Sequence, residues 1–375
     1  MGWTACRPGG SGPVKAGAGG VAAARIRGSP ARAVPMPDPA LDALMLPFAD
    51  RRLAWPEAGA LFLRAREGAA LHAHAPRERV VCEQSFRPAH DALQRAGFQV
   101  RAGGGDAFPL VLALPPRQRD EARALLARAL ARTAPGGRVV AAMANDAGAR
   151  SGQADFEALL GPAQSMSKHK CRVFWAGTGR ADAALAEAWQ GLDAPRPILD
   201  GRFRSRPGVF AWDRIDPASA LLARHLPGDL AGHGADLGAG WGFLSDCVLA
   251  RCPGVGALDV VEAEARALDC ARENLAVHAP RVALEFLWHD VTAGLPRRYD
   301  FIVTNPPFHA LRGEPRPDIG RAFIAAAAAA LRPGGQLWLV ANRQLPYEQA
   351  LASGFARVDE VARADGYKVV RAVKG

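Results

Sequence analysis

Residues Asp300 to His309 read D-F-I-V-T-N-P-P-F-H, an apolar run that stops on an amide, two prolines and an aromatic ring. Phe301, Ile302 and Val303 suit a buried strand, and Pro306 and Pro307 end its ladder because they offer no N–H. In open α/β sheets ligands bind at the carboxyl ends of strands, which puts Asn305 where chemistry is done. An amide followed by a proline carbonyl suits methylation of an exocyclic or amide nitrogen. Such a nitrogen is a poor nucleophile, because its lone pair is conjugated into a ring or a carbonyl. The Asn305 oxygen and the Pro306 carbonyl would accept its two N–H bonds, turn the lone pair outward and stabilise the charge that develops. Phe308 would stack on the flat substrate, and His309 is not needed as a general base, because the amine need not lose its proton until after transfer. An aspartate at 305 would keep an acceptor oxygen and is expected to retain more activity than alanine. Taken alone, N-P-P reads equally well as an ordinary strand-ending turn.

The residues upstream shift that balance. Asp236 to Gly242 read D-L-G-A-G-W-G, after an apolar strand and before a helix. Gly238, Gly240 and Gly242 allow close backbone approach to a ligand, and the helix start favours a carboxylate or phosphate. The spacing G-x-G-x-G, with an acid just before it, departs from the dinucleotide fingerprint G-x-G-x-x-G. Asp236 there suits an ammonium group. Glu262, at the next strand's end, would accept two ribose hydroxyls, and Asp290, in the loop after the third strand, an adenine amino group. Ammonium, carboxylate, ribose and adenine together describe S-adenosylmethionine, with Asn305 bordering it as well. Each acid alone is more often a solvated surface group, so the reading rests on their order along the chain.

Such a site needs a parallel sheet with crossover helices, and the sequence predicts that layout twice. In the first half, strands are expected at Leu61–Leu63, Arg79–Cys82, Pro109–Leu114, Arg138–Met143 and Arg172–Trp175, with helices at Pro88–Ala96, Arg119–Ala131 and Asp182–Trp189. Gly191 to Pro207 reads as a linker. In the second, strands are expected at Ala235–Leu237, Ala257–Glu262, from Asp300 and at Gln336–Ala341, with helices at Glu264–Val277 and Ile319–Leu331 and a closing hairpin over Phe355–Val373. L-A-L-P-P at 112–116 answers V-T-N-P-P at 303–307, and A-P-G-G-R-V-V-A-A-M-A-N at 134–145 answers R-P-G-G-Q-L-W-L-V-A-N at 332–342. The halves therefore look like an internal duplication. The first copy has Leu114 in place of Asn305 and R-A-R-E-G in place of the glycine loop. It has kept the layout and lost the chemistry.

Composition agrees with this picture. The 375 residues are 49% hydrophobic, enough for a large core and two domains. The six cysteines show no C-x-x-C spacing, so neither a zinc site nor a disulfide framework is suggested, and a reduced, cytoplasmic protein without metal fits. No apolar run reaches membrane-spanning length. The formal charge is +10, but Arg7, Lys15, Arg25, Arg27 and Arg32 supply half of it. Residues 1–35, rich in Gly, Ala and Pro and without an acid, are expected to be a disordered basic tail, or the product of a start codon placed too far upstream. The mildly basic remainder is compatible with a polyanionic partner.

Three further stretches carry a family resemblance. G-V-F-A-W-D-R-I-D at 208–216, V-V-E-A-E-A-R-A-L-D-C-A-R-E-N-L at 260–275 and N-P-P-F-H at 305–309 resemble the bacterial ribosomal RNA guanine-N2 methyltransferases, small-subunit type and large-subunit relative. These are class I S-adenosylmethionine-dependent enzymes. The resemblance covers almost the whole chain after Met36. It implies two tandem Rossmann-like domains: 36–195, degenerate and serving RNA binding or structure, and 196–375, catalytic, a seven-stranded doubly wound sheet closed by an antiparallel hairpin. It also implies ribosomal RNA or a ribosomal subunit as partner, a monomer, and Asn305, Pro306, Pro307 and Phe308 as the catalytic motif. Trp241 inside the glycine loop and Gly313 to Pro317 depart from the family pattern. Adenine-N6 or protein glutamine-N5 methylation, and a non-catalytic RNA-binding or ribosome-assembly factor, remain as alternatives.

Overall fold

The computed structural model describes residues 38–307 and 317–375, which belong to one compact unit. Its first half holds β1 (Ala60–Leu63), β2 (Val80–Glu83), β3 (Gln99–Arg101), β4 (Phe108–Ala113), β5 (Thr133–Ala144), β6 (Gln164–Lys168) and β7 (Cys171–Gly177) in one sheet, ordered β3-β2-β1-β4-β5-β7-β6. A two-stranded ribbon follows, β8 (Arg196–Ile198) against β9 (Phe203–Ser205). The second half holds β10 (Gly232–Leu237), β11 (Val255–Glu262), β12 (Ala283–Trp288), β13 (Tyr299–Thr304), β14 (Leu331–Asn342), β15 (Arg357–Ala364) and β16 (Tyr367–Val373), ordered β12-β11-β10-β13-β14-β16-β15. The two orders are the same once the seven strands of each sheet are counted off. In each sheet the first five strands run parallel and the last two close it as an antiparallel hairpin.

The duplication reaches down to an irregularity. Phe108 pairs with Thr133 and Leu110 with Arg138, while Tyr299 pairs with Leu331 and Phe301 with Gln336, so each P-G-G stretch bulges out between the same two rungs. Gly136 at φ 74° and Gly334 at φ 79° make the two bulges possible.

Central strands of a sheet covered on both faces must be apolar nearly throughout, and the packing of β13 shows it. Phe301 and Val303 face one apolar cluster and Ile302 the other, all three essentially inaccessible. Asp259 breaks the rule on β11, where it is buried and satisfied by the Tyr299 hydroxyl at 2.8 Å and by Arg297 and His233.

The stretch 191–207 is not a free linker. Its β8–β9 ribbon packs Ile198 and Phe203 with Val209, Trp241, Ala267 and Cys270. Helices Pro39–Ala49, Ala69–His74 and Ala149–Leu160, with β3 and β6, also lie where the sequence marked no element. No helix among the described residues is long and apolar enough to cross a membrane.

The halves meet beside the end of β11. Phe86 bridges Glu264, with Arg87 N donating to Ala263 O at 2.8 Å and Ala265 N to Ser85 O at 3.0 Å. Trp288 Nε1 donates to both Ser85 O and Ala263 O. Arg266 pairs with Glu121 at 2.9 Å, and both side chains are largely shielded from solvent. Gly208 lies against the same carboxylate, where a Cβ would come within 2.1 Å of Glu121 Oε2.

Candidate active site

The strand order brings the ends of β10, β11, β12 and β13 together. Leu237 is level with Val261 and Thr304, and Glu262 with Trp288. Asp236, Glu262, Asp290 and Asn305, scattered over seventy residues of sequence, therefore come to one edge of one sheet. Thr304 Oγ1 donates to Leu237 O at 2.7 Å, tying β13 to the start of the glycine loop.

Gly238, Gly240 and Gly242 all have positive φ, at 72°, 57° and 93°. Gly240 has open space where a Cβ would stand, whereas a Cβ on Gly242 would press to 3.3 Å from Ala271. The first leaves room for a ligand at the loop's crest, and the second lets helix Phe243–Arg251 pack closely. Trp241, one of the two departures from the family pattern, turns away from the crest: it is buried against Phe203 and Phe243 and donates to Ala211 O at 3.2 Å; the other, Gly313 to Pro317, lies almost wholly outside the described residues.

Glu262 fastens the loop from the neighbouring strand. Its Oε2 accepts Gly240 N and its Oε1 accepts Glu264 N, each at 2.8 Å. Burial raises the Glu262 carboxyl above its ordinary value. Each oxygen keeps a further lone pair for an incoming hydroxyl. Asp290 accepts the backbone N–H and the hydroxyl of Thr292 through Oδ1 and stays partly exposed.

Asp236 is wholly buried. Its Oδ2 accepts the Ser245 hydroxyl at 2.7 Å, and its Oδ1 has no hydrogen-bond partner. Burial pushes this carboxyl up to about 7. An unpartnered carboxylate oxygen in an apolar setting costs more than a neutral one, and a cationic group placed against it relieves that cost.

Asn305 presents the complementary observation. Its Nδ2 donates to Asp216 Oδ2 and to Ser219 Oγ, both at 2.9 Å, while its Oδ1 is buried with no partner. Pro306 is buried and Pro307 exposed; Phe308 and His309 lie outside the described residues. Asp216 and Ser219 are the members of this site that the sequence reading missed. The signal was present, since D-P-A-S at 216–219 is a helix start with Asp at the cap and Pro behind it.

The first sheet lacks this arrangement. Leu114, buried, follows β4 where Asn305 follows β13, and Glu83 at the end of β2 is locked to the buried Arg132 guanidinium at 2.7 Å. Among the described residues no cluster of His, Cys, Asp and Glu is arranged to hold a metal ion.

Comparison with known proteins bears on most of the chain. Residues 200–371 match the Methyltransferase small domain family. A ribosomal RNA small subunit methyltransferase C from Vibrio cholerae is 31% identical over 274 residues, which span 71% of this chain and 77% of that protein. A protein of the same name from Alcanivorax borkumensis is 37% identical over 179 residues, 47% of this chain and only about half, 53%, of its own length. Among solved structures, the T. thermophilus 16S rRNA N2 G1207 methyltransferase (RsmC), in complex with AdoMet and guanosine, superimposes with a TM-score of 0.74 at 27% identity, over 91% of this chain and 93% of that one.

Proposed function

The chain belongs to the ribosomal RNA small subunit methyltransferase C family, and on that premise we propose that it methylates the exocyclic N2 amine of a guanine in ribosomal RNA, with S-adenosylmethionine as cofactor. One observation carries the reading most directly. Asn305 holds a buried acceptor oxygen without a donor at the carboxyl end of β13, and leaving such a group unsatisfied costs about 1–3 kcal/mol. A guanine amine supplies the missing N–H.

The residues present fit the cofactor. Asp236 Oδ1 stands ready for an ammonium, the open crest at Gly240 for a close approach, and the free lone pairs of Glu262 for ribose hydroxyls. Asp290, Gly238 and Gly242 complete the proposed cofactor set, with Asn305 bordering it. S-adenosylmethionine, when bound, supplies an electrophilic methyl group on a sulfonium. The chain's own part is to hold the amine: Asn305 Oδ1 and the Pro306 carbonyl accept its hydrogens, aim its lone pair and stabilise the positive charge that grows on nitrogen. Pro307 fixes the backbone that follows, and Phe308 stacks on the base. Extruding a guanine from folded RNA costs on the order of a few kcal/mol, which contacts to phosphates elsewhere must offset.

We assign residues 196–375 to catalysis and 36–195 to RNA contact and support, in a cytoplasmic monomer without metal. The test is incubation with labelled S-adenosylmethionine and, in parallel, ribosomal subunits, naked ribosomal RNA, DNA and a release factor. N2-methylguanosine in the digested RNA is the expected product. Labelled adenosine, or label only on protein, rejects the assignment.

A further inference from the structure

We infer that Asp216 is a positioning residue, which turns the Asn305 amide so that its oxygen alone meets the substrate. The inference rests on the function proposed above and deepens it at one atom. A primary amide is a double donor on one side and an acceptor on the other. The target amine brings hydrogens, so an amide turned the wrong way would set N–H against N–H.

The chain takes up both amide hydrogens itself. Asn305 Nδ2 donates to Asp216 Oδ2 and to Ser219 Oγ, each at 2.9 Å. A carboxylate has no hydrogen to return, so flipping the amide would set its oxygen against Asp216 Oδ2; the Ser219 hydroxyl can donate or accept, and Asp216 alone therefore fixes the orientation. Asp216 is fixed in turn, because the same Oδ2 accepts Ser219 N at 2.9 Å as the cap of helix Pro217–His225, whose first residue is proline. The start of this helix therefore decides which atom at the end of β13 faces the reacting nitrogen. Neither residue is charged with chemistry by its own type; the orientation is a property of the pair.

It follows that position 305 requires an amide as long as position 216 is a carboxylate. A carboxylate at 305 would face Asp216 across what is now a hydrogen bond, with nothing between two like charges. This removes the ground for expecting aspartate at 305 to outperform alanine. Exchanging the two side chains removes the like-charge contact: an amide at 216 that turns its nitrogen toward 305 donates to the carboxylate there, whose other oxygen remains an acceptor for the amine, while the Ser219 N–H gives up the cap that Oδ2 now supplies.

The experiment compares Asn305→Asp, Asp216→Asn and the double exchange in single-turnover methylation at saturating cofactor, with cofactor dissociation constants measured in parallel. Asn and Asp cap helices about equally, so Asp216→Asn leaves the helix start intact. Asn305→Asp is expected to be at least about a hundredfold slower. Asp216→Asn is expected to be about tenfold slower, and the double exchange at least about tenfold faster than Asn305→Asp alone. Cofactor affinity is expected to stay unchanged throughout. A double exchange no faster than Asn305→Asp overturns the inference.

The identity of the methylated product tests the guanine reading separately, and the order of the variants keeps its meaning on any nitrogen target. A second arm needs no activity. The chain has four asparagines, so 15N-asparagine labelling resolves the Asn305 side-chain protons by nuclear magnetic resonance. Their exchange with solvent is expected to be slow in the wild type and at least about tenfold faster in Asp216→Asn. Equal exchange in the two proteins overturns the inference even if neither is active.

Discussion

Glu262 accepts the backbone N–H of Gly240 at 2.8 Å, so the acid at the end of one strand holds the crest of the loop that follows its neighbour. The same carboxylate holds Glu264 N, which makes it a fastener for two loops as well as a proposed ligand for ribose. Two roles on one side chain predict two losses on its removal.

Glu262→Ala is expected to weaken S-adenosylmethionine binding by about 1.5–3 kcal/mol, roughly ten- to a hundredfold, and to lower the melting temperature of the free protein. Glu262→Gln keeps an acceptor but sets an amide N–H among backbone N–H groups, and is expected to recover only part of either loss. Titration calorimetry and thermal melts measure the two effects. An unchanged dissociation constant in Glu262→Ala removes this residue from the cofactor site.

Asp236 predicts a dependence on pH whose sign is fixed by burial. Its carboxyl is raised from 3.8 to about 7 in the folded chain, so between those values the folded state holds a proton that the unfolded state releases. Stability falls as pH rises through that window. Compared with Asp236→Asn, the free wild-type protein is expected to lose stability between pH 4 and 7, read from urea midpoints. Hydrogen bonds from Ser245 pull this carboxyl down, and the Glu262 charge pushes it further up. An ammonium group favours the ionised form, so cofactor binding at about pH 6 is expected to release protons. Calorimetry in buffers of different ionisation enthalpy detects them, and binding without proton release rejects Asp236 as the ammonium partner.

Asn305→Ala is expected to leave cofactor affinity nearly unchanged and to slow methyl transfer by about a hundred- to a thousandfold, the usual effect of removing one positioned polar group from a transition-state site. Near-normal turnover, measured in single-turnover assays, removes the catalytic role from the stretch.

One cofactor is expected per chain, since Leu114 and the Glu83–Arg132 pair stand where the second sheet offers Asn305 and the Glu262 carboxylate, which is held by backbone N–H groups. Equilibrium dialysis returning two sites contradicts this.

Contact with RNA through the first half predicts a salt effect. Lys168, His169 and Lys170 form the exposed tip of the β6–β7 hairpin, just past the end of β5, where Asn145 N donates to Lys170 O. Replacing both lysines with alanine is expected to weaken RNA binding and to reduce the slope of log affinity against log salt by about 1–2. An unchanged slope places the RNA elsewhere.

Much of the fold was legible because burial writes itself into sequence. V-T-N-P-P and the paired P-G-G strands announced two sheets, and the structure repeats even the bulge at Gly136 and Gly334. What escaped notice lacked that signature. Helix Pro39–Ala49 is buried almost all round, so it has no polar face to set a period. The β8–β9 ribbon is three residues per strand and was hidden among prolines. The orientation of Asn305 was illegible for another reason: it depends on Asp216, eighty-nine residues away, and no local pattern carries a partnership over that distance.

The bridge between Phe86 and Glu264 also sets an order of events at birth. Chains are made from the amino end at about 5–20 residues per second, so the first sheet is complete roughly several seconds before the loop after β11 exists. When that loop emerges, Ser85 and Arg87, whose O and N pair with Ala265 N and Ala263 O in the folded chain, have already been made. The seam at Phe86 and Glu264 thus joins residues made early to residues made late, and it can close only after every strand of the first sheet has been synthesised.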